Sequence, residues 1–275
     1  VVAVIAGVYL MAPRPEVKTI TIGTTDKISR LDPAYAYDFY TWEVMINTYE
    51  GLFKYVPGTT ELEPSSIVES YNVSADGKVW TFKLKSGLKF SNGDPINATV
   101  FKYSIDRVVT MGQDVSWLVT EFVDNVTVVD ELTFKIYLKA PVSFFPSLLA
   151  IPPYFPVDPS VFPSDQVVDG LVGNGPFRIA DWKKDEYLIL EPNPYYNGED
   201  KPKVDKVVVK FYADSTQLRL ALERGDIDIA WRTLNPTDID ALKQKPDITI
   251  EEVPGPFIRY VVINTNADWL STYGY

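Results

Sequence analysis

The chain has 275 residues, a formal net charge of −11 and neither histidine nor cysteine. An acidic surface repels phosphate backbones, so nucleic acid is not an expected partner. Without His or Cys there is no Ser-His-Asp or Cys-His catalysis, no disulfide and no His- or thiolate-ligated metal, which leaves carboxylate-only catalysis and oxygen-ligand cation sites.

At ~150 residues per domain the length allows one to two domains, and a composition of 46% hydrophobic and 23% charged residues is that of an ordinary globular protein. Residues Val1 to Ala12 are uncharged and apolar, and Pro13, Arg14 and Pro15 break the run. It is shorter than the ~20 residues that span a bilayer. It reads as the tail of a signal sequence or membrane anchor. Sequons at Asn72, Asn97 and Asn125 lean the same way, toward the outside of the cell.

Lys18 to Gly23 alternates as a strand, and Leu31-Asp32-Pro33 turns the chain. Trp42, Met45, Ile46, Tyr49, Leu52 and Phe53 then recur at helical spacing. From Glu63 to Pro153 short strands alternate with turns. Asp76-Gly77 marks a hairpin, and Trp80, Phe82 and Leu84 share one face of the strand that follows. Asn97 is a good N-cap for a helix burying Val100, Phe101, Ser104, Ile105 and Val108. Val126 to Lys139 reads as two strands around Asp130-Glu131. The Pro-rich stretch Pro152 to Pro163 connects, and the Gly-rich stretch Gly170 to Pro176 marks a crossing between lobes.

Phe177 to Trp182 and Tyr187 to Glu191 form a strand pair, and Lys206 to Tyr212 is a further strand. Asp214 or Ser215 caps a helix that Gly225 stops. Ile227 to Trp231, Ile248 to Glu252 and Ile258 to Ile263 read as strands, with a helix opening at Pro236. The chain thus starts in one lobe, visits a strand-rich second lobe and returns to an α/β lobe.

Few side chains suggest chemistry. Asp226 and Asp228 share a strand face, but they read as the polar end of a strand. Asp76-Gly77 lacks the further oxygens of a calcium loop. Gly173-Asn174-Gly175-Pro176 has no Lys-Ser/Thr after it and is not a phosphate cradle. Tyr37, Asp38, Phe39 and Tyr40 are different: four consecutive residues cannot all be buried on one helix face. Trp231 and Tyr260, at strand ends, are weaker pocket candidates, and core burial is one reading of Trp117.

Seven blocks in order resemble the family 5 extracellular solute-binding proteins. They are Leu31-Asp32-Pro33 with Asn47 to Leu52, then Ser74 to Leu84, Gly87 to Pro95, Val100 to Arg107, Gly173 to Phe177, Asn193 to Tyr196, and Gly225 to Ala230. The resemblance runs from about residue 20 to 265. It implies an α/β fold of the periplasmic-binding-protein type II-like class, with a discontinuous α/β lobe and an inserted strand-rich lobe. Residues 16–45 and 170–262 would form domain I, and 46–169 domain II. Residues 1–15 would be the anchor tail, and 263–275 the hinge and start of a closing third domain that is largely absent. The family is usually close to twice this length.

The resemblance also implies function. Tyr37, Asp38, Phe39 and Tyr40 would line the interlobe cleft, and Trp117 would face it from domain II. The backbone at Asn174 and Gly175 would border it, and Trp231 and Tyr260 would be secondary. The protein would capture oligopeptides outside the cell and deliver them to ABC transporter permease subunits, as a monomer tethered to the membrane, with no cofactor, no metal and no enzymatic activity. Oligosaccharide binding by the same fold and a sensory ectodomain are the alternatives, with a carboxylate-based glycosidase behind them.

Overall fold

The computed structural model describes residues 17–252. The chain divides into two compact units, one up to Leu234 and one from Asn235 onward.

In the first unit the elements are β1 (Thr19–Thr24), α1 (Phe39–Thr48), β2 (Phe53–Tyr55), β3 (Leu62–Pro64), β4 (Val68–Val73), β5 (Val79–Leu84) and α2 (Ala98–Met111). There follow α3 (Trp117–Thr120), β6 (Val123–Val128), β7 (Thr133–Leu138), α4 (Phe145–Leu148), β8 (Phe177–Lys183), β9 (Tyr187–Pro192), β10 (Lys206–Phe211), α5 (Ser215–Glu223) and β11 (Ile229–Ala230). One sheet has the order β11-β1-β10-β9-β8, with β1 parallel to β10 and β11 and the β10-β9-β8 strands antiparallel. A second, antiparallel sheet has the order β4-β5-β7-β6.

The second sheet follows from its alternation. Trp80, Phe82 and Leu84 of β5 and Phe134, Ile136 and Leu138 of β7 are all buried, and α2 covers them. Phe134 stacks on Phe82 at 5.7 Å and on Phe101 of α2 at 5.1 Å. Such pairs add about 0.5–1.5 kcal/mol beyond area burial. Asn97 Oδ1 accepts the Val100 N–H at 3.1 Å and starts α2, and Gly112 ends it in the left-handed region at φ 56°.

The two sheets are tied by a buried ion pair. Arg107 of α2 donates from Nη1 and Nη2 to Asp32 Oδ1 and Oδ2, each at 2.7 Å, and both side chains are fully buried. Two further guanidinium N–H groups donate to the carbonyls of Pro163 and Gln166. Asp32 also accepts the Ala34 and Val168 N–H groups. Two of the blocks in the family resemblance therefore meet as one device, 75 residues apart in sequence.

Two sequence expectations are corrected. Helix α1 ends at Thr48 rather than running through Leu52 and Phe53, and Tyr49 is already extended at φ −126°. Tertiary contacts override the periodicity: the Asn174 amide bonds both the N–H and the carbonyl of Glu50, and Phe53 is recruited into β2 against β3. Ile248 to Glu252 is no strand. Among the described residues no backbone ladder pairs with it, and Ile248 N–H turns back to the Lys245 carbonyl. The expected strand at Ile258 to Ile263 lies outside the described residues.

In the second unit α6 (Pro236–Leu242) follows Asn235, with Pro236 at its first position, as expected of a residue lacking the N–H. Among the described residues no helix is long and apolar enough to cross a membrane.

Candidate ligand-binding cleft

Strands β1 and β11 run parallel and end side by side, and open α/β sheets bind ligands beyond the carboxyl ends of such strands. The chain leaving β1 passes Asp26 and Ser29, makes the Asp32 turn and enters α1 through Asp38. Asp38 is the helix N-cap: its Oδ1 accepts the Thr41 N–H at 2.9 Å, and its Oδ2 accepts the Ser29 hydroxyl. This capping presents Tyr37 and Phe39 outward, 51% and 68% exposed.

Opposite them stands α3. Trp117 is 44% exposed and donates its Nε1–H to the Tyr37 hydroxyl at 3.0 Å. The Tyr37 ring also lies 5.9 Å from that of Trp42, whose Nε1–H is held by the Ala36 carbonyl at 2.7 Å. Two cavities share Tyr37 and Asp38 in their linings. One, of ≈ 240 Å³, is lined by Ser29, Tyr35, Tyr37, Asp38, Gln113 and Asp114. The other, of ≈ 430 Å³, is lined by Tyr37, Asp38, Phe39, Trp42, Leu118 and Ile151.

The other expected residues are placed elsewhere. Tyr40 is buried, its ring edge-on to Phe211 at 6.0 Å, and burial first, then Glu43 and Asp26, raises its phenol well above the usual range. Asn174 and Gly175 are also buried. The Asn174 side chain is committed to Glu50, the Gly175 N–H to the Thr48 carbonyl and the Gly175 carbonyl to Asn193. The crossing passes so close to the end of α1 that a Cβ at residue 173 would lie 2.1 Å from the Thr48 oxygen, and one at 175 would lie 2.6 Å from the Tyr49 nitrogen. Trp231 is 43% exposed at the end of β11, with its N–H bonded to the Gly23 carbonyl. Tyr260 lies outside the described residues. Asp228 accepts the Thr21 N–H and Asp226 pairs with Arg224, so both serve the sheet end.

Sequence reasoning missed a charged group beside this cleft. Arg232 pairs through Nε with Asp26 at 2.7 Å and through Nη2 with Glu43 at 3.2 Å, with its guanidinium 5.8 Å from the Tyr40 ring centroid. Arg232 and Thr233 both adopt positive φ, 41° and 61°, a conformation costly for non-glycine residues and most of all for a β-branched one. Burial raises the Glu43 carboxyl above its ordinary value although Arg232 opposes the shift. The Arg232 and Asp26 partners are 206 residues apart, so no local pattern could announce them. Leu118 and Ile151 were likewise unremarked, because each reads as plain core.

Residues 63–273 match the sequence profile described as bacterial extracellular solute-binding proteins, family 5, middle. The chain belongs to that family. Among its relatives the probable D,D-dipeptide-binding periplasmic protein DdpA of Escherichia coli is 33% identical over 90% of this chain. The dipeptide-binding protein DppE of Bacillus subtilis is 26% identical over 90%. Among solved structures, the periplasmic binding protein DppA from Helicobacter pylori in complex with the peptide STSA superposes with a TM-score of 0.72 at 26% identity, over 83% of this chain. The unliganded open form of the murein tripeptide binding protein MppA gives 0.74, also at 26%. This family 5 chain spans about half the length of these proteins, 48–49% in each case. The compared proteins are named as binding proteins and not as enzymes, and the fold is that of the periplasmic binding proteins.

Proposed function

We propose that this chain is the ligand-capturing part of an extracytoplasmic receptor that takes up short peptides and presents them to the permease subunits of an ABC importer. The observation that carries this reading is the aromatic-walled cavity between Tyr37–Trp42 and the Leu118 and Ile151 side, two parts of the chain far apart in sequence. Cavities at such junctions are where small molecules commonly bind. The ligands for which the relatives are named or with which they were solved, a D,D-dipeptide, a dipeptide and the peptide STSA, support peptides as the class.

In this reading the five-stranded sheet belongs to domain I (residues 16–45 and 170–262) and the four-stranded sheet to domain II (46–169). Tyr37, Phe39 and Trp117 face the ligand, with Asp38 fixing the helix start between them. Tyr40 backs the wall from inside. Asn174 and Gly175 brace the crossing behind it, and Trp231 flanks the opening beyond β11. Residues 1–15 act as the tether, and the receptor works as a monomer without cofactor or metal.

The test is a thermal-shift screen of the complete translated protein against pools of di- to pentapeptides and of oligosaccharides. A ligand that binds only the native state raises the melting temperature. A rise with peptides is the expected result. A rise with sugars alone retains the fold and overturns the ligand. No rise with any pool, in a protein that melts cooperatively, overturns the receptor reading.

A further inference from the structure

Two of the three N-x-S/T sequons fall on one face of the four-stranded sheet. Asn72 lies on β4 and Asn125 on β6, the two edge strands of the order β4-β5-β7-β6. Asn72 pairs with Thr81, Thr81 with Lys135, and Lys135 with Thr127, so the first residue of one sequon and the last of the other share a row across the sheet. Asn125 pairs with Tyr137 on the same face. Strand side chains alternate faces. The buried Trp80, Phe82, Phe134 and Ile136 therefore point toward α2, and the sequon row points away from it.

The environments of the three asparagines differ. Asn72 and Asn125 are exposed, and among the described residues no hydrogen bond holds the side chain of Asn72, Asn125 or Thr127. Asn97 is only partly exposed between the buried Ile96 and Ala98, and its Oδ1 is committed to the Val100 N–H as the cap of α2. A glycan is bulky and hydrated, so the fold accommodates it only where the attachment atom opens to solvent. The Ser74 hydroxyl is held by Asp76 in the closed turn, so transfer at Asn72 precedes the closing of that turn.

We propose that Asn125 and Asn72 are N-glycosylation sites and that Asn97 is not. The inference rests on the extracytoplasmic reading above. The donor is an oligosaccharide linked through phosphate to a membrane lipid, brought to the sequon by an oligosaccharyltransferase. The asparagine Nδ2 forms a bond to the anomeric carbon and gives up one proton to a base of the transferase. The bond from that carbon to the phosphate oxygen breaks, and the lipid phosphate leaves with the electron pair.

The test is glycopeptide mass spectrometry on the complete protein purified from the cells that make it. The peptides holding Asn72 and Asn125 are expected to carry hexose-type mass on the asparagine, and the Asn97 peptide to run at its bare mass. Thr127→Ala removes the glycan from Asn125, and Thr127→Ser, which keeps the hydroxyl, retains it. A bare Asn72 or Asn125, a glycan on Asn97, or a glycan on Asn125 that survives Thr127→Ala overturns the assignment. Protease added to intact cells separates the two levels. Bare sequons on a protein cut from outside overturn this inference alone, whereas a protein protected within the cells overturns the extracytoplasmic reading with it.

Discussion

Replacing Arg107 by Met tests whether the Asp32–Arg107 pair locks the two sheets together. The Met retains much of the apolar stem, but four hydrogen bonds disappear: two to Asp32, one to the Pro163 carbonyl and one to the Gln166 carbonyl. Asp32 keeps only its Ala34 and Val168 N–H donors and becomes a fully buried carboxylate without a countercharge. Breaking one side of a buried pair costs about 3–5 kcal/mol. For a protein of roughly this size that is a fall of about 6–20 °C in melting temperature, at ~2–4 °C per kcal/mol. Urea unfolding followed by Trp fluorescence measures the loss, with the m-value checking that the unfolded state is unchanged. Asp32→Asn costs a comparable amount. The Asp32→Asn, Arg107→Met double variant recovers about 1–3 kcal/mol of the summed losses, because the two partners share one network. A loss below about 1 kcal/mol for Arg107→Met, or strict additivity in the double variant, refutes the reasoning.

Three other outcomes follow from the same structure. Gly175→Ala places a methyl group 2.6 Å from the Tyr49 nitrogen, so we expect a melting-temperature drop of several degrees, whereas an unchanged value means the crossing is looser than described. Asn97→Ala removes the α2 cap and costs about 1 kcal/mol in urea titration; a change within error contradicts the capping role. Alkaline stability is set by buried tyrosines: burial raises Tyr40, Tyr49 and Tyr154 far above the ordinary value of 10.0, and burial followed by Glu50 and Asp200 raises Tyr196 to about 12. Because these folded-state values are raised, their stabilising contribution is complete below pH 10 and is lost as pH climbs through them, at ~1.4 kcal/mol per unit and group. Phenolate absorbance from these residues therefore rises together with loss of Trp-reported structure. A phenolate rise well before unfolding contradicts their burial.

Local chemistry made much of the fold legible. Asn97 and Asp214 announced helix starts, because a short polar side chain can satisfy a free helix N–H, and both cap as expected. The alternation of Trp80, Phe82 and Leu84 announced a half-buried strand, because strand side chains alternate faces whatever the partner. The end of α1 was not legible: the hydrophobic spacing runs on to Phe53, and only the Asn174 amide, arriving from 124 residues away, pulls Glu50 out of the helix.

At the site the division is similar. The consecutive residues Tyr37, Asp38, Phe39 and Tyr40 implied that some of them must face outward, since a helix has only one buried face. Which ones do so was decided by the Asp38 cap, which exposes Tyr37 and Phe39 and turns Tyr40 onto Phe211. The order of blocks along the chain determined the family. The pairings of Tyr37 with Trp117, of Arg232 with Asp26 and of Arg107 with Asp32 span 80, 206 and 75 residues. They exist only once the tertiary fold has formed, because a hydrogen bond depends on distance and direction in space and leaves no spacing signal in the chain.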